Sequence, residues 1–228
     1  MVPIQRTIGG RITGSNMSEA NFNGRSLLNV QFSDSNLARS NFSGTEGLNV
    51  SFIATDLQWS NFSDSTIENA NFEGLNLFRV DFRNVTAPNL TMTDVDITRS
   101  NFTYLRSVGA RFDQVDIQTA DFEELRFTAG RMTDVQFNHV YLANADFSSA
   151  SLNDVVMSNA NLTGAVFVGA NLRDVMFIND DMTDSNFEDA QMFRVNFQDV
   201  EGLTVGTFTG ACGSEVSGLP PGVTLRPC

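Results

Sequence analysis

A large apolar residue (Phe, Leu, Ile or Met) recurs at every fifth position from Ile12 to Phe197 without insertion or deletion; of the 38 positions in this frame only Gly47, Ala87 and Ser107 depart. A period of five suits neither an α-helix nor a flat strand, whose side chains repeat every 3.6 and 2 residues. The spacing predicts a chain that turns a corner every five residues and stacks its turns into a solenoid, each unit burying one side chain against its neighbours. The expected organisation is a lead-in over residues 1–11, an all-β solenoid over 12–200 and a tail without repeats over 201–228.

The individual units are regular: Ser-Asn-Phe-Ser-Gly (40–44), Ala-Asn-Phe-Glu-Gly (70–74), Ala-Asp-Phe-Ser-Ser (145–149), Ala-Asn-Leu-Thr-Gly (160–164) and Ala-Asn-Leu-Arg-Asp (170–174). Each has a small residue, an Asn or Asp, a large apolar centre and two residues that are usually polar. Over about residues 10 to 200 the chain resembles the pentapeptide-repeat family. That resemblance implies a right-handed quadrilateral β-helix, four pentapeptides to a coil, with the centre and the preceding small residue both pointing inward.

The ordering of the centres supports four sides independently. From Phe22 to Phe122, positions ending in 2 hold Phe in ten of eleven cases, Met92 being the exception; from Phe127 to Phe197, positions ending in 7 hold Phe in seven of eight. A 20-residue coil stacks Phe22 on Phe42 on Phe62 and Leu37 on Leu57 on Leu77, whereas a 15-residue coil would alternate Phe with Leu. Like-on-like ladders keep the core volume constant, as close packing requires. The change of register between Phe122 and Phe127 reads as a packing dislocation. Nine to ten coils at about 4.8 Å each make a rod about 45 Å long, and buried Phe and Leu contribute roughly 1.5–3 kcal/mol each, so the fold is expected to need no cofactor.

The chain has 27 acidic and 14 basic residues, a net charge of −13, and all its basic residues are Arg. Such a surface repels nucleic acid and acidic membranes and attracts a basic protein groove, so a protein partner is expected and direct nucleic-acid binding is not. No apolar stretch is long enough for a membrane span, and Met1 to Gly14 lacks the apolar core of a signal peptide. The expected location is therefore cytoplasmic, although a trimmed exported protein would look the same.

Cys212 and Cys228 both fall in the tail, which is rich in turn-forming Gly and Pro and is expected to cap the open end of the solenoid. Two readings stay open: a disulfide closing the loop, which would add about 3 kcal/mol, or two free thiols, the default in a reducing cytoplasm.

Catalytic constellations are scarce, and no enzymatic activity is expected. His139, the only histidine, takes an outward frame position. Asp134, Asp154 and Asp174 occupy equivalent places on three successive coils, with Asp94 two coils further back; the row reads as a hydrated acidic ladder, with divalent-cation binding as the alternative. No phosphate loop, nucleophile elbow or CxxC motif occurs.

Departures from the pattern are better leads. Gly47, Ala87 and Ser107 share one wall of the coil, and the residues after them, Leu48, Pro88 and Val108, are apolar where polar ones are expected; Leu28 belongs to the same row. Local repacking that draws these residues into the core is the expected explanation, because a lost core side chain leaves a cavity costing several kcal/mol. An exposed apolar stripe for a partner is the alternative. On another wall an outward row reads Arg39, Trp59, Arg79, Arg99, with Phe78 beside it, a spacing suited to cation–π stacking. It is either a ladder joining successive coils or an interface hot spot, for which Trp and Arg are the commonest residues.

Two function classes follow. One is a non-enzymatic binding rod whose acidity imitates a DNA duplex; the resemblance to pentapeptide-repeat proteins that protect gyrase from quinolones implies this at the level of repeat and charge only. The other is a scaffold that binds proteins without such mimicry.

Overall fold

The structure is a computed structural model that describes residues 7–228; residues 1–6 of the expected lead-in lie outside the described residues. Among the described residues thirteen strands follow one another: β1 (Thr7–Thr13), β2 (Ser26–Ser33), β3 (Glu46–Leu48), β4 (Ser51–Ile53), β5 (Thr66–Glu68), β6 (Asn71–Asn76), β7 (Thr91–Thr98), β8 (Arg111–Gln118), β9 (Arg131–Asn138), β10 (Ser151–Ser158), β11 (Asn171–Ile178), β12 (Gln191–Gln198) and β13 (Cys212–Ser214). Every pairing is parallel. Phe52 faces Phe72, Val135 faces Val155 and Phe177 faces Phe197, each one coil of 20 residues apart. The chain is thus an all-β, four-sided parallel solenoid of about ten coils, whose walls are named here for Phe32, Leu37, Phe42 and Leu27 in winding order.

The corners explain the pattern's polar half. The second residue after each centre takes a positive φ, as at Asp34 (50°), Arg39 (60°), Gly44 (62°) and Asn49 (54°). This left-handed conformation is easiest for Gly, Asn and Asp, which accounts for their frequency there. The Asn or Asp before the centre works differently: Oδ1 of Asn41, Asn61, Asp121 and Asn161 each accepts the backbone N–H two residues on, at 2.8–3.0 Å. These Asx turns fix the wall before the corner.

Many corners also carry a backbone bond from the small residue to the centre three residues back, such as Ser60 N–H to Leu57 C=O at 3.0 Å. Elsewhere that N–H is satisfied from the next coil: Ser15 donates to Ser35 Oγ (3.1 Å), Val80 to Ser100 Oγ (2.9 Å) and Ala160 to Asp180 Oδ1 (2.7 Å). A buried backbone donor must find a partner, so these inward polar residues stand where a turn bond is missing. By contrast Ser60, Ser65 and Ser185, at corners that keep the bond, have hydroxyls with no partner among the described residues.

Phenylalanine columns run through the core. Phe22, Phe42, Phe62, Phe82, Phe102 and Phe122 stack at 4.6–4.8 Å between centroids, nearly parallel, while rings on adjoining walls meet edge to face, as Phe52 does with Phe62 at 5.5 Å. Both arrangements suit the ring quadrupole. At the dislocation Phe127 meets Phe112 edge-on at 5.0 Å and is tilted by 53° to Phe147. Gly130 makes room for it, since a Cβ there would fall on the Phe127 ring.

The tail keeps winding, one residue out of step. Cys212 pairs with Gln191, 21 residues back instead of 20. Phe208 stacks on Phe187 at 5.6 Å and meets Phe197 edge-on at 5.5 Å, extending the aromatic columns over the last coil. The structure joins Cys212 to Cys228, with Cα atoms 5.0 Å apart, and Gly213 N–H donates to Arg226 C=O at 2.8 Å.

Candidate functional site

On the Leu37 wall the row Arg39, Trp59, Arg79, Arg99 lies at successive corners, with φ of 60°, 62°, 57° and 56°. Positive φ is rare for bulky residues, and the coil above holds each one: Trp59 N–H donates to Phe78 C=O at 3.0 Å and Arg79 N–H to Thr98 C=O at 3.0 Å. The backbone therefore presents these side chains on a stiff support. Trp59 is 47% exposed. The Arg79 guanidinium lies over the Trp59 ring at 4.5 Å and the Phe78 ring at 5.4 Å, while the two rings meet edge to face at 5.8 Å. Arg39 makes only a long, exposed ion pair with Glu19, at 3.7 Å, and Arg99 is in no ion pair among the described residues. The result is an exposed aromatic–guanidinium platform.

The Leu27 wall corrects one expectation. Gly47, Ala87 and Ser107 remain buried in frame, and Leu28, Leu48 and Val108 stay outside, 42%, 37% and 54% exposed, with Pro88 half-buried. Repacking is unnecessary because neighbours occupy the space. Ile67 and Val50 methyls stand 3.0 Å from where a Gly47 Cβ would lie, and the buried Ser107 hydroxyl donates to Ala87 C=O at 2.7 Å. An apolar row is therefore exposed, interrupted by Glu68.

The acidic ladder is broken at one end. Asp134, Asp154 and Asp174 stack on β9, β10 and β11, but Arg194 follows in the same row and grips Asp174 through Nε and Nη2. This hydrogen bonding to Arg194, more than its charge, holds the Asp174 carboxyl below the usual carboxylate range. No grouping of His, Cys, Asp or Glu suited to a metal ion occurs among the described residues. His139 is exposed, and among the described residues its ring is bonded only to the neighbouring Asn138, at 2.5 Å. Asp94, Asp96, Asp116 and Asp134 line an open groove of about 470 Å³ between the Phe32 and Leu37 walls.

The four-sided winding, the Asx-turn corners and the inward centres are features of one repeat, and the family model for the pentapeptide repeat region matches residues 15–92 and 130–204. The chain belongs to the pentapeptide-repeat family. Among solved pentapeptide-repeat structures it is similar to HetL, involved in heterocyst differentiation regulation in the cyanobacterium Nostoc, with 17% identity over 96% of this chain and 91% of that one and a TM-score of 0.53. It is also similar to QnrB1, a plasmid-mediated fluoroquinolone resistance protein, with 18% identity over 86% of this chain and 93% of that one and a TM-score of 0.40. No curated protein matches the chain.

Two features of this pentapeptide-repeat protein escaped the sequence reading. Asn29, Asn49, Asn69 and Asn89 form a side-chain ladder at the edge of the Leu27 wall, each amide donating to the one below at 2.8–3.0 Å; four asparagines 20 apart were the signal. Asp180 stands in the inward row of Val80, Ser100, Ala120, Val140 and Ala160, all small residues, and is 1% exposed. Burial pushes its carboxyl up to about 6, against the opposing pull of the Ala160 and Ile178 N–H donors.

Proposed function

We infer that this protein is a non-enzymatic binding rod whose protein partner docks on the Leu37 wall, around Trp59, Phe78 and Arg79, with Arg39 and Arg99 at the flanks. One observation carries this reading: a half-exposed Trp59, stacked under Arg79, is held in a left-handed backbone position by the neighbouring coil. A rigid aromatic with a guanidinium beside it loses little entropy on binding and is the usual centre of a hot spot. The test compares proteins captured on the wild-type rod with those captured on Trp59→Ala/Arg79→Ala. A partner held by wild type and released by the double variant supports the reading; a partner held equally by both overturns it.

The net charge of −13 favours a second reading, an acidic rod that takes the place of a DNA duplex on a DNA-handling enzyme such as gyrase. That complex would weaken steeply with salt, because charges beyond about 8–10 Å are screened at 0.1–0.15 M ionic strength. Pairing of Asp174 with Arg194 shortens the ladder available for it. Unaltered gyrase supercoiling in excess protein at low salt would remove the second reading and leave the first. In either, the rod is expected to work without a cofactor and in the cytoplasm.

A further inference from the structure

Four of the arginines crowd into two consecutive coils. Arg106 and Arg126 are bridge partners on the Leu27 wall, and Arg111 and Arg131 are register partners on β8 and β9, just around the corner. All four are exposed, and none joins an ion pair among the described residues. Arg106 has one side-chain partner, Oδ1 of Asn84 at 3.2 Å. Like charges directly opposite one another in a sheet are destabilising, and here two such pairs stand side by side in a chain with almost twice as many acids as bases. No acid among the described residues forms a direct ion pair with them. Asp146, the next bridge partner of Arg126, accepts the Ser148 N–H in an Asx turn, and Asp113 lies beside Arg111 without pairing.

Between the two pairs the wall presents Val108, 54% exposed, with Thr128 above it and only Gly109 and Ala129 at the corner. No long side chain separates the guanidiniums from the apolar surface. We propose that this face, opposite the Trp59 platform and independent of it, is a docking site for a short acidic peptide segment of a protein partner, with carboxylates on the arginine pairs and an apolar residue on Val108. Charge complementarity selects the anion. The size and surroundings of the patch select a short peptide over nucleic acid, because the pairs span about 5 Å of rod and the rest of the molecule, at −13 overall, repels a long polyanion.

The probe is a labelled twelve-residue peptide in which glutamate pairs alternate with single leucines, followed by fluorescence anisotropy at low salt. Saturable binding is expected. Arg106→Gln/Arg126→Gln and Arg111→Gln/Arg131→Gln should each weaken it about tenfold or more, while Trp59→Ala leaves it unchanged. Both arginine variants should melt no lower than wild type, since each removes a like-charge pair, which separates lost binding from lost folding. Absence of peptide binding, equal binding by the arginine variants, or tighter binding of a twelve-nucleotide DNA strand would each overturn the proposal.

Discussion

The backbone N–H of Ala160 donates to Oδ1 of Asp180 across 2.7 Å, and Oδ2 of the same carboxyl accepts from Ile178 at 3.1 Å. Ser100 serves the Val80 N–H four coils down the rod in the same place in the coil, with a hydroxyl and no charge. Both side chains satisfy a corner that lacks its turn bond, but only Asp180 adds a titrating group to the core.

Stability should therefore depend on pH through Asp180. Its carboxyl titrates near 6 in the folded chain against a reference of 3.8, so between these values the folded state binds more protons than the unfolded one. The contribution of Asp180 to stability is full below about pH 4 and falls as pH rises through 6, by up to about 3 kcal/mol. Urea unfolding at pH 4 and pH 7 should show a smaller difference for Asp180→Asn than for wild type. An identical difference in the two proteins would rule out Asp180 as the source.

Register can be tested inside and outside the core. Phe62 is stacked between Phe42 and Phe82 at 4.6 and 4.8 Å, and Phe62→Ala should cost about 3–5 kcal/mol. Glu73→Ala, on an outward position, should change stability by less than about 0.5 kcal/mol.

The dislocation depends on a missing methyl. Gly130→Ala would push into the Phe127 ring and should destabilise by about 1–3 kcal/mol. Gly44→Asn is the control, because that corner is open and its φ of 62° is one Asn accepts; its melting temperature should stay close to wild type.

The tail should act as the cap of the last coil. Removing residues 201–228 strips Phe208 from Phe187 and Phe197 and should cause self-association, read by light scattering. Reduction of the Cys212–Cys228 link should lower stability by about 3 kcal/mol in the chain-entropy picture, and thiol alkylation before and after reduction, read by mass, reports whether the link forms.

The sequence by itself determined the architecture, because a strict five-residue frame leaves one set of inward positions and like-on-like stacking of Phe and Leu selects four sides. It also placed Trp59 beside Arg79, since residues 20 apart must be neighbours once the coil length is known. Tertiary structure decided what periodicity cannot carry. Whether Leu48 and Val108 turn inward depended on the volume that Ile67 and Val50 take beside Gly47 and on the bond of the buried Ser107 hydroxyl to Ala87 C=O. Which corners keep their turn bond is a matter of local backbone geometry, and only that explains why an aspartate is buried at position 180. Arg194 ended the acidic ladder because its side chain reaches back one coil. The tail's extra residue was likewise invisible in the frame: Phe208 rejoins the aromatic column only because the winding chain absorbs a 21st residue before Cys212.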